Sequence, residues 1–140
     1  MREAGIAIDR HRVAYAVAVL VVIAVGLTTR LPLVHWPPMV GKYAGAVLWG
    51  AMVYFIVRLG RPAAQMAVST AIALVLSALV EFSQLWHPDW LDDVRRTTIG
   101  VLLLGRYFAW MDIAAYALGV GFAVATDALV KKLTHFPQPH

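Results

Sequence analysis

Apolar positions in this chain fall in long unbroken runs, not at the spacing of a one-sided surface helix, and short polar clusters separate the runs. A helix that crosses a bilayer needs about 20 apolar residues, within a range of about 17 to 25. Four stretches approach that length. Residues 13–29 are uncharged, with Arg10, His11 and Arg12 before them and Arg30 after. Residues 43–57 are shorter and reach span length only if Lys42 and Arg58 carry their charges out to the two surfaces. Residues 62–80 open with Pro62, tolerated in a first helical turn, and the pattern extends to Gln84 before Pro88 halts it. Residues 107–130 hold Asp112 near one end and Asp127 near the other. The run 97–105 would make about 13 Å of helix at about 1.5 Å per residue. It is too short to cross, and is expected to be re-entrant or interfacial.

Composition agrees with this pattern. The chain has 140 residues, 61% hydrophobic and 14% charged, with a mean hydropathy of +0.71, whereas about a quarter of a soluble domain is charged. The expected fold is therefore all-α and polytopic. It has one membrane domain over 1–133, four transmembrane helices (13–29, 43–57, 62–84, 107–130), a short helix at 97–105, and a disordered tail at 134–140. Residues 13–29 are longer than a secretory h-region and lack a small-x-small site before Arg30, so the first helix is expected to be retained. There is no cysteine and the net charge is +4, but the cations are scattered and form no stripe for nucleic acid. The five histidines show no metal-binding spacing, and no cofactor motif is present.

Cation counts give an orientation. With a cytoplasmic N-terminus, Arg2, Arg10, Arg12, Arg58, Arg61, Lys131 and Lys132 lie inside, against Arg30, Lys42, Arg95, Arg96 and Arg106 outside. This bias places both termini in the cytoplasm of a bacterial inner membrane, with Trp36, Trp86, Trp90 and Trp110 in an outer aromatic belt.

The outer stretch "ALVEFSQLWHPDWLDDVRRTTIG", residues 78–100, concentrates the candidate chemistry. Ser77, Glu81 and Gln84 share one face of the third span, and Asp112, Tyr116 and Gly119 share one face of the fourth, where the glycine permits close approach. Facing each other, these rows would gather two acids, an amide and a phenol. The plain alternative is that both acids sit at the water boundary, where a carboxylate costs little. Arg30, Lys42, Arg95 and Arg96 could ring an anionic head group, with Thr97 and Thr98 offering helix N–H groups to phosphate. Alternatively, Asp92 or Asp93 simply pairs with Arg95 or Arg96. Gly41 and Gly45 form a GxxxG, and Asp127 with Lys131 reads as an ordinary helix pair at the inner surface.

"EFSQL" at 81–85 and "FAWMDIAAYALGVG" at 108–121 resemble the VanZ-like superfamily, which carries E-x-x-Q on one helix and D-x-x-x-N-x-x-G on the next. Tyr116 stands where that pattern has asparagine. "GLTTR" at 26–30, "KYAGAVLWGAMVY" at 42–54, "WLDDVRRTTIGVLLLG" at 90–105 and "DIAAYALG" at 112–119 resemble more closely the uncharacterised DUF2809 family. Relatives often have an acid where this chain has Ala46, so no role is rested on that acid. The resemblance implies a small membrane protein and brings no established activity. The leading functional expectation is an outward-facing polar site for an anionic lipid or lipid-linked cell-envelope head group. Its residues would be Glu81, Gln84, Arg95, Arg96, Asp112 and Tyr116, with Arg30 and Lys42. The alternatives are a small proton-coupled transporter using Glu81 and Asp112, or an assembly subunit that fastens to a membrane partner or a second copy. No nucleophile or metal motif points to an enzyme.

Overall fold

The computed structural model describes residues 2–29 and 36–134, which form six helices: α1 (Arg2–Thr28), α2 (Pro38–Gly60), α3 (Met66–Ser83), α4 (Asp89–Arg96), α5 (Thr98–Leu104) and α6 (Trp110–Thr134). Among the described residues there is no strand. Arg10–Thr28, Pro38–Gly60, Met66–Ser83 and Trp110–Leu133 are long and apolar enough to cross a membrane, which makes this a multi-pass membrane protein. The 18 residues of α3 span about 27 Å, close to the ~30 Å of a hydrocarbon core.

α2 is the hub. It packs on α1, α3 and α6, α6 also packs on α3, and α1 has α2 as its only helix neighbour at the backbone level among the described residues. Two glycines bring α2 and α6 together. A Cβ on Gly50 would strike the backbone of Tyr116, and one on Gly119 would strike the Val47 carbonyl, so the two helices meet backbone to backbone as small residues permit. Tyr15, Ala51, Val53, Tyr54, Phe55, Ala73, Val120 and Ala123 form the buried cluster between the helices. Most other apolar side chains of α1 are exposed, including Val13, Leu20 and Val21, as suits a helix facing lipid tails.

Several boundaries differ from expectation for identifiable reasons. α2 begins at Pro38, with Pro37 as its N-cap, because a proline's fixed φ and missing N–H suit a first turn. α3 starts at Met66 rather than at Pro62, and residues 62–65 form a turn whose carbonyls are used below. Pro88, expected to halt α3, instead opens α4: its carbonyl accepts from Leu91 N and Asp92 N. α4 itself went unpredicted, since only Leu91 and Arg95, one turn apart, are buried in "DWLDDVRR". α5 falls within the expected 97–105 and ends at Gly105, whose φ of 66° is easily adopted only by glycine. α6 continues past residue 130 through Lys131 and Lys132, cations that suit a helix C-terminus. Of the expected tail at 134–140, Thr134 is instead the last residue of α6, and 135–140, like Arg30, lie outside the described residues.

Candidate functional site

The end of the bundle that carries α4 and α5 holds a buried carboxylate. Ser69, Ala73, Ser77 and Glu81 repeat every fourth residue along the buried face of α3, so Glu81 is turned into the protein and is 0% exposed. Three donors converge on it. The backbone N–H of Ala109, just before α6, donates to Oε1 at 2.7 Å. The Tyr116 hydroxyl donates to Oε2 at 2.9 Å, and Gln84 Nε2 donates to the same oxygen at 3.0 Å. The acid thus caps the N-terminus of α6, where a negative charge is favourable. The Trp49 ring lies 5.0 Å from that of Tyr116 between centroids and links this network to α2. Three polar atoms near the network are buried without partners: Trp49 Nε1, Ser77 Oγ and Gln84 Oε1.

The structure therefore gathers Glu81, Gln84 and Tyr116 through hydrogen bonds. Asp112 is half-buried, one turn before Tyr116. Gly119 permits the close backbone approach expected of it, with α2 rather than α3 as the neighbour. Arg95 does not face outward. It is 3% exposed, and donates to the Ser83 and Trp86 carbonyls and to Asp92 Oδ1 at 3.1 Å. Its guanidinium closes the turns that follow α3, a use the sequence did not disclose because it depends on where α4 folds back. Arg96 is exposed and pairs with Asp93 at 3.4 Å. Both ion pairs are those of the plainer sequence reading. Thr97 Oγ1 accepts from Gly100 N at 3.0 Å, so the hydroxyl expected near an anion serves as the N-cap of α5. Lys42 lies in the second turn of α2.

Outside the membrane-spanning helices, Asp92 also accepts from His87 Nδ1 at 3.1 Å when that nitrogen carries a proton. His87 first, and Arg95 with it, hold the Asp92 carboxyl below its usual range.

At the opposite end, beside the α2–α3 turn, lies a polar knot that the sequence reading missed. Arg58 was expected to reach a surface, yet it is 1% exposed. Its Nε sits 3.1 Å from Asp127 Oδ2, and its terminal nitrogens donate to the Tyr15 hydroxyl, to Ser69 Oγ and to the Pro62 and Ala64 carbonyls. Asp127 also accepts from the Tyr15 and Tyr54 hydroxyls at 2.9 and 2.8 Å. The expected pair with Lys131 is present at 3.4 Å, but it is the outer edge of this knot rather than a surface feature. Opposite charges at matching ends of two apolar runs were the available signal. Length counting concealed it by assigning Arg58 to a helix end.

A cleft opens on the flank of α1 and α2. Its volume is about 210 Å³, and it is lined by Val22, Ile23, Gly26 and Leu27 of α1, Gly45, Leu48, Trp49 and Met52 of α2, and Ile99, Leu102 and Leu103 of α5. α5 packs on α3 and α4 but stands off from α1 and α2, with the cleft between them. Of the GxxxG pair, Gly45 lines this cleft and Gly41 lies against Trp36 Cβ. Trp36, Trp86, Trp90 and Trp110 are all exposed, between 46% and 71%.

Four apolar spans, a buried carboxylate network at one end and a charged knot at the other define a small all-helical polytopic membrane protein. Residues 35–120 match a family model described as "Protein of unknown function (DUF2809)", and the chain belongs to that family. The matched stretch takes in Arg58, Glu81, Gln84 and Tyr116 and stops before Asp127. No solved structure matches the chain.

Proposed function

We propose that this protein binds an anionic, chain-bearing membrane lipid, or the lipid-linked head group of a cell-envelope intermediate, at the end that carries α4 and α5. The observation that carries this reading is the cleft between α1, α2 and α5. Its lining is apolar apart from the Trp49 indole, and two of its walls are spanning helices. A hydrocarbon chain suits such walls, and the helix that leaves the gap is itself apolar, with sequence "TIGVLLL". The exposed Arg96 and Arg106 lie on either side of α5 in sequence, and an arginine beside an apolar slot suits a phosphate-bearing head. Glu81 and Arg95 are withdrawn from direct contact with such a head because both are buried. Their part in this reading is to fix the ends of α3 and α6 from which α4 and α5 hang. Opening of the site to the outside of a bacterial inner membrane rests on the arginine and lysine bias alone.

Native mass spectrometry of the full chain released gently from its membrane tests this. The wild type should carry a lipid of one class. Leu102→Trp, which fills the cleft, should lose it at least several-fold, and Arg96→Glu should weaken it. Wild type without specific lipid, or equal retention in Leu102→Trp, would remove the reading.

A further inference from the structure

The two buried carboxylates are treated differently. Asp127 has cations at 3.1 and 3.4 Å, from Arg58 and Lys131. Glu81 is more deeply enclosed, yet no lysine, arginine or histidine among the described residues lies within ion-pair distance of it. Arg95, the buried cation at the same end, is directed to the Ser83 and Trp86 carbonyls and to Asp92. The three partners of Glu81 are neutral donors, which ease the burial of its charge without cancelling it. A carboxylate offers about four lone-pair sites. Three are taken, so one remains.

Two buried oxygens flank Glu81 in sequence, at Ser77 and Gln84, and neither has a partner. Gln84 directs its amide nitrogen at Glu81, leaving Oε1 buried with no partner, in a residue 3% exposed. Ser77 lies one turn before Glu81 on the same buried face, is 2% exposed, and its Oγ is also unpartnered. Tyr116 donates its proton to Glu81, so the lone pairs of its oxygen are also available. A cap for α6 needs the carboxylate but has no use for idle acceptors beside it. Buried acceptors without donors are costly unless something meets them. An acid, an amide oxygen and hydroxyl oxygens are the donor set of a hard cation, and a single net negative charge matches a single positive one.

We propose that Glu81, Gln84 Oε1 and Ser77 Oγ form a binding site for one monovalent alkali cation, with Tyr116 positioning the carboxylate. The positive charge completes the neutralisation of Glu81 and meets the idle oxygens in one step. Gly105 belongs to the same construction: a Cβ there would run into Gln84 Nε2, so glycine leaves room for the amide that donates to Glu81.

Thermal unfolding of the full chain in detergent, in lithium, sodium, potassium or choline chloride at equal ionic strength, is the test. One alkali ion should raise the midpoint in a concentration-dependent way that choline does not reproduce. Glu81→Gln should abolish the selective response. Ser77→Ala, which removes only the hydroxyl, should lower the apparent affinity about tenfold while leaving the fold intact, so the test stands even if Glu81→Gln does not fold. Asp112→Asn should keep the response. Equal stabilisation by choline, an undiminished response in Ser77→Ala, or stabilisation that follows pH and none of the metal ions would overturn the proposal.

Discussion

Arg58 and Asp127 show most directly how a single charged residue is carried inside this protein. Every nitrogen of the guanidinium has an acceptor, and Asp127 accepts two phenols as well as the arginine. Removing one partner from such a buried pair costs about 3–5 kcal/mol, because the other is left as an uncompensated charge. Asp127→Asn should therefore unfold at markedly lower denaturant, and Arg58→Met combined with Asp127→Asn should recover part of the loss. Unfolding titrations in mixed micelles would measure both. Asp92 behaves differently because it lies near water. Its carboxyl is held below the usual range by His87 and Arg95, so its contribution is present above the unfolded value and is lost as pH falls through the lowered folded one. Acid titration followed by tryptophan fluorescence should show α4 loosening only below the ordinary carboxylate range. Asp92→Asn should remove that transition.

Among the helices, the contact between α2 and α6 is the most exacting. Gly119 has the Val47 carbonyl where its Cβ would be, whereas Gly121, two residues on, faces open space. Gly119→Ala should separate the helices and destabilise by more than the ~1–3 kcal/mol of ordinary overpacking. Gly121→Ala should be neutral or slightly stabilising, since alanine is favoured over glycine in a helix by about 1 kcal/mol. Thermal unfolding of the two variants side by side is the check. The four spans were legible because apolar run length is the direct physical requirement of a bilayer. The closeness of Glu81, Gln84 and Tyr116 was legible from i+4 spacing on two helices. α4 was not, because a short helix with a single buried stripe leaves no run to count. The inward turns of Arg58 and Arg95 were hidden for a related reason: their acceptors are backbone carbonyls and distant side chains, which residue type does not announce.

For the molecule as a whole, the two polar networks lie at opposite ends of the same α2–α3–α6 bundle and serve unlike purposes. One ties α1, α2, α6 and the α2–α3 turn together around the Arg58–Asp127 pair. The other surrounds a single negative charge with neutral donors and spare oxygens, and Trp49 stands between it and the apolar cleft. A change in the cleft or around Glu81 should therefore leave the knot at the far end intact.

The knot also bears on how the protein is made. Tyr54 and Asp127 are 73 residues apart in the chain, and Tyr15 and Asp127 are 112 apart. While the earlier helices enter the bilayer in order of synthesis, Arg58 already lies among apolar residues and the carboxylate that answers it has yet to emerge. α6 therefore closes the knot: until it arrives, Arg58 lacks the carboxylate that pairs with it in the folded bundle.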